Sequence, residues 1–272
     1  MFIMRKNEDI NLPTRKASAS KSKKKLIKVS SSDFVISQIT IVSSCSMPDG
    51  HQIDPQTVEF INANGNSWKN EDMEKYYSSF IAGHNFLEHD QVEKRSYGFI
   101  ADAVLRKREV GSTFVYDVDL LIATAKRNTP NDAIVNKIAK DKSAKFSMGC
   151  LSSAIQCSYC GKVSASEKDD CTHLKLKMGS TFITAGGGVS EISAIVVPMN
   201  PEDNPENPTG YINFIEASIV NNPAYGGAVL GYVLDIPDNQ DIYFEIPTDQ
   251  YNRKTFNGIA HWAKKGMVAT IK

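Results

Sequence analysis

Apolar residues in this chain mostly recur at every second position, in short runs, with fewer stretches at helical spacing. In Asp33–Ser44, Val35, Ser37, Ile39 and Ile41 interleave with Ile36, Gln38, Thr40 and Val42, which predicts a strand buried on both faces. Residues 45–70 are rich in Pro, Asp, Asn and Gly and predict a loop with little regular structure. Asn70–Ala82 places Met73, Tyr76, Tyr77 and Phe80 on one stripe of a helix. Ser96–Arg106 and Ser112–Thr124 flank a turn at Glu109–Gly111 and predict an antiparallel pair. In the second of these strands Phe114, Tyr116, Val118, Leu120 and Ile122 share a face, and Asp117 and Asp119 point the other way. Asn128–Lys140 reads as a helix, with Thr129 as N-cap, Pro130 at its first position and Ile134, Val135 and Ile138 as its stripe. Ala144–Cys150 and Ile212–Val220 read as strands. The three prolines within residues 199–210 predict an acidic surface loop. Ile242–Ile246 is strand-like, but the rest of residues 236–272 is a basic, aromatic extension of unclear role. Strands outnumber helices, so the expected class is α+β: an antiparallel β-barrel-like core with a few peripheral helices.

Composition refines this picture. At 272 residues and 41% hydrophobic, the chain can bury one sizeable core. The net charge of zero hides an asymmetry: residues 1–28 carry nine Lys and Arg against Glu8 and Asp9. Lys16–Lys28 has few large apolar side chains to offset its ordering entropy, so residues 1–32 are expected to form a flexible basic arm. Its lysines are candidates for contact with nucleic acid or an acidic protein. No run of about 18 apolar residues exists, so no membrane span is expected, and the N-terminus lacks the apolar core of a secretory signal. Four of the five cysteines lie between positions 150 and 171, which is no secreted disulfide framework and points to a reducing compartment.

Two constellations carry candidate chemistry. The first is Phe146-Ser147-Met148-Gly149-Cys150, a serine beside a glycine at a strand end, where a hydroxyl can be held rigid and reachable. His89 lies upstream in Asn85–Asp90, and Glu216 downstream in Phe214–Val220. Serine, histidine and carboxylate are the parts of a nucleophile, base and orienter. His84 competes with His89 for the base. Glu216, mid-strand among apolar residues, needs a partner, either a histidine or an arginine such as Arg95 or Arg106.

The second is Cys157-Ser158-Tyr159-Cys160-Gly161, followed by Cys171-Thr172-His173. Cys-x2-Cys on a knuckle turn, which Gly161 permits, sets two thiolates on one metal. Cys171 and His173 complete a tetrahedral Cys3His set with no open position, so the expected cofactor is structural Zn2+ in an insert at residues 157–173. A disulfide and free thiols are the alternatives, and Cys150 is an alternative ligand. Lys162 and Lys168 are offset by Glu167, Asp169 and Asp170, so the insert lacks the basic face of a nucleic-acid-binding zinc module.

The ordered segments Asn85–Asp90, Tyr97–Arg106, Ser112–Thr124, Phe146–Cys150 and Asn213–Ala228 together resemble the head-maturation (prohead) proteases of tailed bacteriophages, a family similar in fold to the herpesvirus assembly proteases. The resemblance spans about residues 34–235, within an expected protease-like domain at 33–235. It implies a serine endopeptidase of virus head assembly with Ser147 as nucleophile and His89 as base. Glu216 stands where the herpesvirus relatives carry a second histidine. Backbone amides near Met148 and Gly149 are the oxyanion candidates. Implied substrates and partners are scaffold proteins, the major capsid protein and the chain itself, in multiple copies inside the assembling head in the host cytoplasm. The alternative is a catalytically silent structural protein of the particle with the same fold.

Overall fold

A computed structural model describes residues 2–5, 23–126, 138, 143–198, 210–237, 239–253 and 256–271. The predicted helix at 128–140 and the acidic loop at 199–210 lie almost wholly outside these residues. The first strands are β1 (Phe2–Arg5), β2 (Lys24–Ser30), β3 (Phe34–Ser43) and β4 (Asn66–Trp68), followed by helix α1 (Asn70–Tyr76) and β5 (His84–Leu87). The hairpin β6 (Gly98–Val110) and β7 (Thr113–Ala125) and the strand β8 (Lys145–Ser152) follow. Next come β9 (Ala154–Cys157), β10 (Val163–Ser164), helix α2 (Thr172–Lys177), β11 (Thr181–Ile183), β12 (Val189–Glu191) and β13 (Ala194–Val197). The chain continues through β14 (Ile212–Val220), β15 (Leu230–Val233), β16 (Asp241–Pro247), α3 (Thr248–Tyr251), α4 (Gly258–Lys264) and β17 (Val268–Ile271).

The fold is mixed α+β and sheet-rich. Its main sheet has eight strands in the order β1-β8-β14-β5-β6-β7-β3-β15. Two of its pairs, β1 with β8 and β14 with β5, are parallel, and the others are antiparallel. The expected barrel is not closed. The chain entering β15 returns to the start of β8 through an isolated Lys145–Val229 bridge, with Phe146 N–H donating to Ala228 O (2.9 Å). A single bridge is not a ladder, so the sheet curls without sealing.

Three further sequence expectations change. Lys24–Ser30 is no part of a flexible arm. As β2 it is the central strand of the sheet β16-β2-β17, with Ile27 and Val29 fully buried. The alternation Leu26, Ile27, Lys28, Val29 contains a strand stripe that the surrounding lysines obscure. The extension at 236–272 likewise joins the core: Ile246, Ile259 and Trp262 are fully buried, and Trp262 packs edge-on against Phe34 at 5.7 Å. Residues 45–70 are more ordered than expected, with a 3-10 turn at Pro55–Phe60, capped by Asp54, and β4. The other face of β7, which carries the aspartates, is also covered. Asp117 and Asp119 are buried beneath Arg106 and Arg108, with Arg108 gripping both Asp117 oxygens at 2.7 and 2.9 Å.

The α1 stripe follows its pattern. Met73 and Phe80 are fully buried, though the last turn, Tyr77–Phe80, tightens to 3-10. A second sheet, β10-β9-β13-β4, has its own small apolar cluster of Ile155, Leu174, Ile192 and Ala194.

Candidate functional site

Three neighbouring strands assemble the first site. β14 lies between β8 and β5, with Ser218 opposite Ser147, and Glu216 opposite Gly149 on one side and His84 on the other. Laterally paired residues point to the same side of a sheet, and residues two apart share a face. Ser147, Gly149, Glu216 and Ser218 therefore form one polar patch in otherwise apolar strands. All of β8 after Lys145 is buried, so Ser147 sits within the strand rather than at its end.

The Glu216 side chain is completely buried, and both of its oxygens are engaged. His89 Nδ1 donates to Oε1 at 2.7 Å, and the Ser218 hydroxyl donates to Oε2. A carboxylate only accepts, which assigns a proton to Nδ1. The arginine alternative is excluded by where those arginines go: Arg95 pairs with Asp90 at 2.6 Å, and Arg106 with Asp119 at 2.9 Å. Gly149 makes room for the buried acid. A Cβ there would stand 2.6 Å from Glu216 Oε1, closer than real contacts allow.

His89 reaches Glu216 from a turn rather than a strand. Glu88 and His89 both adopt left-handed backbone, with φ of 48° and 58°, a conformation costing about 1 kcal/mol or more per non-glycine residue and characteristic of functional turns. The end of β14 holds this turn in place. Glu88 N–H donates to Ile219 O at 2.9 Å, and Asn221 donates to Glu88 Oε1 from its backbone N–H (2.9 Å) and its Nδ2 (2.7 Å). His84, the competing base, is bonded through Nδ1 to Ser96 Oγ at 2.9 Å and stacks on Phe86. Burial first, and then the neighbouring His261, push its pKa down to about 4, so it stays neutral.

Ser147 is 3% exposed, and its Oγ has no hydrogen-bond partner. The structure thus joins His89 to Glu216 and sets Ser147 on their face, without a bond between Ser147 and His89. The sequence reading assigned no role to Ser218. Its signal was a Glu-x-Ser pair, two polar residues on one face of a strand otherwise built of Ile, Val, Phe and Ala.

The second site lies on the smaller sheet. Cys157, Cys160, Cys171 and His173 offer ligand atoms that all lie within 4.8 Å of one another. Gly161, at φ 71°, closes the knuckle by donating its N–H to Cys157 O at 2.9 Å. Cys171 and His173 arrive at the start of α2. Burial pushes the Cys157 thiol up to about 12. Cys171 is also partly desolvated, but the amides of Leu174 and His173 and the neighbouring thiols bring it below the ordinary thiol value. His173 Nδ1 is buried without a hydrogen-bond partner. An orphaned ring nitrogen beside three thiols is a donor set suited to a metal. All five cysteines are free, which removes the disulfide alternative, and Cys150 packs in the main core, outside the cluster.

No family model, curated protein or solved structure matches the chain.

Proposed function

We propose that this chain is a serine endopeptidase of virus head assembly, similar to the phage prohead proteases, with Ser147 as nucleophile, His89 as base and Glu216 as orienter. The observation that carries the reading is the buried Glu216 carboxylate bonded to His89 Nδ1 at 2.7 Å, on the sheet face that also bears Ser147. With Nδ1 committed to Glu216, Nε2 is the nitrogen available to take the Ser147 proton as Oγ attacks a peptide carbonyl. The imidazolium so formed is stabilised by Glu216 and returns the proton to the leaving amine. Water then enters by the same base and hydrolyses the acyl-enzyme. The Ser147–Nε2 hydrogen bond is one that forms on substrate binding, as such bonds often do.

The metal cluster is read as a structural zinc site. Zn–S bonds of roughly 2.3 Å set the ligand sulfurs of a tetrahedron roughly 3.8 Å apart, close to the observed clustering. All four positions are filled by protein, so the metal would staple the small sheet and take no part in the reaction. Substrates in this reading are scaffold and capsid proteins and the chain itself.

One observation favours the second reading, a silent structural protein of the particle: Ser147 is shut away at 3% exposure. Co-expression with the capsid and scaffold proteins, followed by mass spectrometry of the products, separates the two. The expected outcome is defined cleavage by the wild type, none by Ser147→Ala, and fluorophosphonate labelling at Ser147 alone. Equal processing by the Ser147→Ala protein, or no processing by either, sinks the protease reading.

A further inference from the structure

Ser218 lies two residues beyond Glu216 on β14 and directly opposite Ser147 on β8. It is fully buried. A buried serine in a strand costs the desolvation of its hydroxyl and packs less apolar area than the Val or Ile typical there. Its hydroxyl makes one bond, to Glu216 Oε2. Without that bond Oε2 would be a buried, unpartnered carboxylate oxygen, and nothing would fix the rotation of the carboxylate plane about its last torsion, which is intrinsically broad.

We propose that Ser218 is a positioning residue: its hydroxyl fixes the Glu216 carboxylate in the rotation that presents Oε1 to His89 Nδ1, completing a Ser218–Glu216–His89 relay behind Ser147. This rests on the protease reading for its catalytic consequence, but the relay itself is a property of the folded protein. Ser218 does more than satisfy a buried acid. A hydroxyl donating to Oε2 withdraws negative charge from the carboxylate, so Glu216 stabilises the imidazolium less than a free carboxylate would.

The test is the NMR signal of the His89 Nδ1–H proton in the full-length protein, which reports the bond to Glu216, with cleavage kinetics on the same samples. Ser218→Ala is expected to shift or broaden that signal, because nothing then fixes the rotation of the carboxylate. Its kcat should fall about tenfold or more with KM within about twofold, as for lost orientation rather than lost substrate binding. Ser218→Thr, which keeps the hydroxyl and suits a strand, should restore both. In a Glu216→Gln background Ser218→Ala should change the His89 signal no further, because the effect passes through the carboxylate. Should Ser218→Ala fail to fold, Ser218→Cys, which keeps the volume but donates weakly, is measured by the same criterion. A folded variant whose melting temperature drops while the His89 signal and kcat stay put overturns the proposal and leaves Ser218 a packing residue. A changed His89 signal in Ser218→Ala, with a wild type that cleaves nothing, sustains the relay and removes the protease reading instead.

Discussion

At the scale of single residues, the geometry reinterprets the Ser-Met-Gly tripeptide. Gly149 is required by the residue across from it on β14, where any Cβ would press on the Glu216 carboxylate. That carboxylate cannot move aside cheaply, because His89 and Ser218 hold its two oxygens. Gly149→Ala is therefore expected to destabilise the fold by about 1–3 kcal/mol, the usual cost of overpacking a core. It should also lower cleavage by about tenfold or more through displacement of the acid. Thermal unfolding and cleavage of a peptide substrate, measured on one preparation, check both. A stable, fully active Gly149→Ala protein would mean that the Glu216–His89 bond is not needed for turnover.

At the scale of elements, α4 is seated on the same strand that leads to His89. Gly258 N–H donates to Ala82 O at 2.7 Å, and a Cβ at Gly258 would lie 2.8 Å from the Phe99 Cβ. This contact brings His261 to 5.8 Å from His84, ring centre to ring centre. Burial, then the other imidazole, lowers the His84 pKa to about 4; burial also lowers His261, against the opposing pull of Glu93 and with Lys264 and Lys265 nearby. Both rings hold a proton less readily in the folded state than in the unfolded chain. As pH falls below the ordinary histidine value of 6.5, the unfolded chain takes up these protons first. Stability present above about pH 6.5 is thus lost progressively toward pH 4. Melting temperatures measured from pH 7 to 4.5 should decline, and His84→Gln should flatten that decline. An unchanged slope in the variant would place the acid sensitivity elsewhere.

At the scale of the whole molecule, the described residues form one main core, from Ile27 to Val268, and smaller clusters beside it. The metal-ligand sheet has a small core of its own around Leu174 and Ile192. The small core is too slight to hold its strands by apolar burial alone, so the cysteine cluster is the natural staple. Metal analysis should return one zinc per chain. Chelation should raise amide exchange across Cys157–Glu191 and leave His84–Leu87 and Ile212–Val220 protected. Exchange rising uniformly over both sheets would show that the two cores unfold as one.

The division between what was legible in sequence and what was not follows from the range of the interactions. Local periodicity sets strands and helices, and β3, β6, β7, β8, β14 and the α1 stripe could be read because their side-chain pattern is written within ten or so residues. The knuckle was equally legible, since Cys-x2-Cys and a glycine specify a turn by themselves. Ser147, His89 and Glu216 were legible as candidates, because polar residues in apolar strands stand out wherever they occur. Which of them touch is a matter of register. The bulge between Phe214 and Glu216, the pairing of β14 with β5 and the left-handed turn at His89 decided that Glu216 meets His89 and not an arginine. Long-range pairing also turned a lysine-rich segment into the centre of the β16-β2-β17 sheet, because the strands that bury Ile27 and Val29 lie more than two hundred residues away. The same pairing left the expected barrel open, since closure depends on a ladder between β15 and β8 where the chain forms one bridge. Sequence alone determined which chemical groups are present and the local elements that carry them. Only the tertiary structure decided their partners, because a hydrogen bond across a sheet depends on strand order and register, which no single segment encodes.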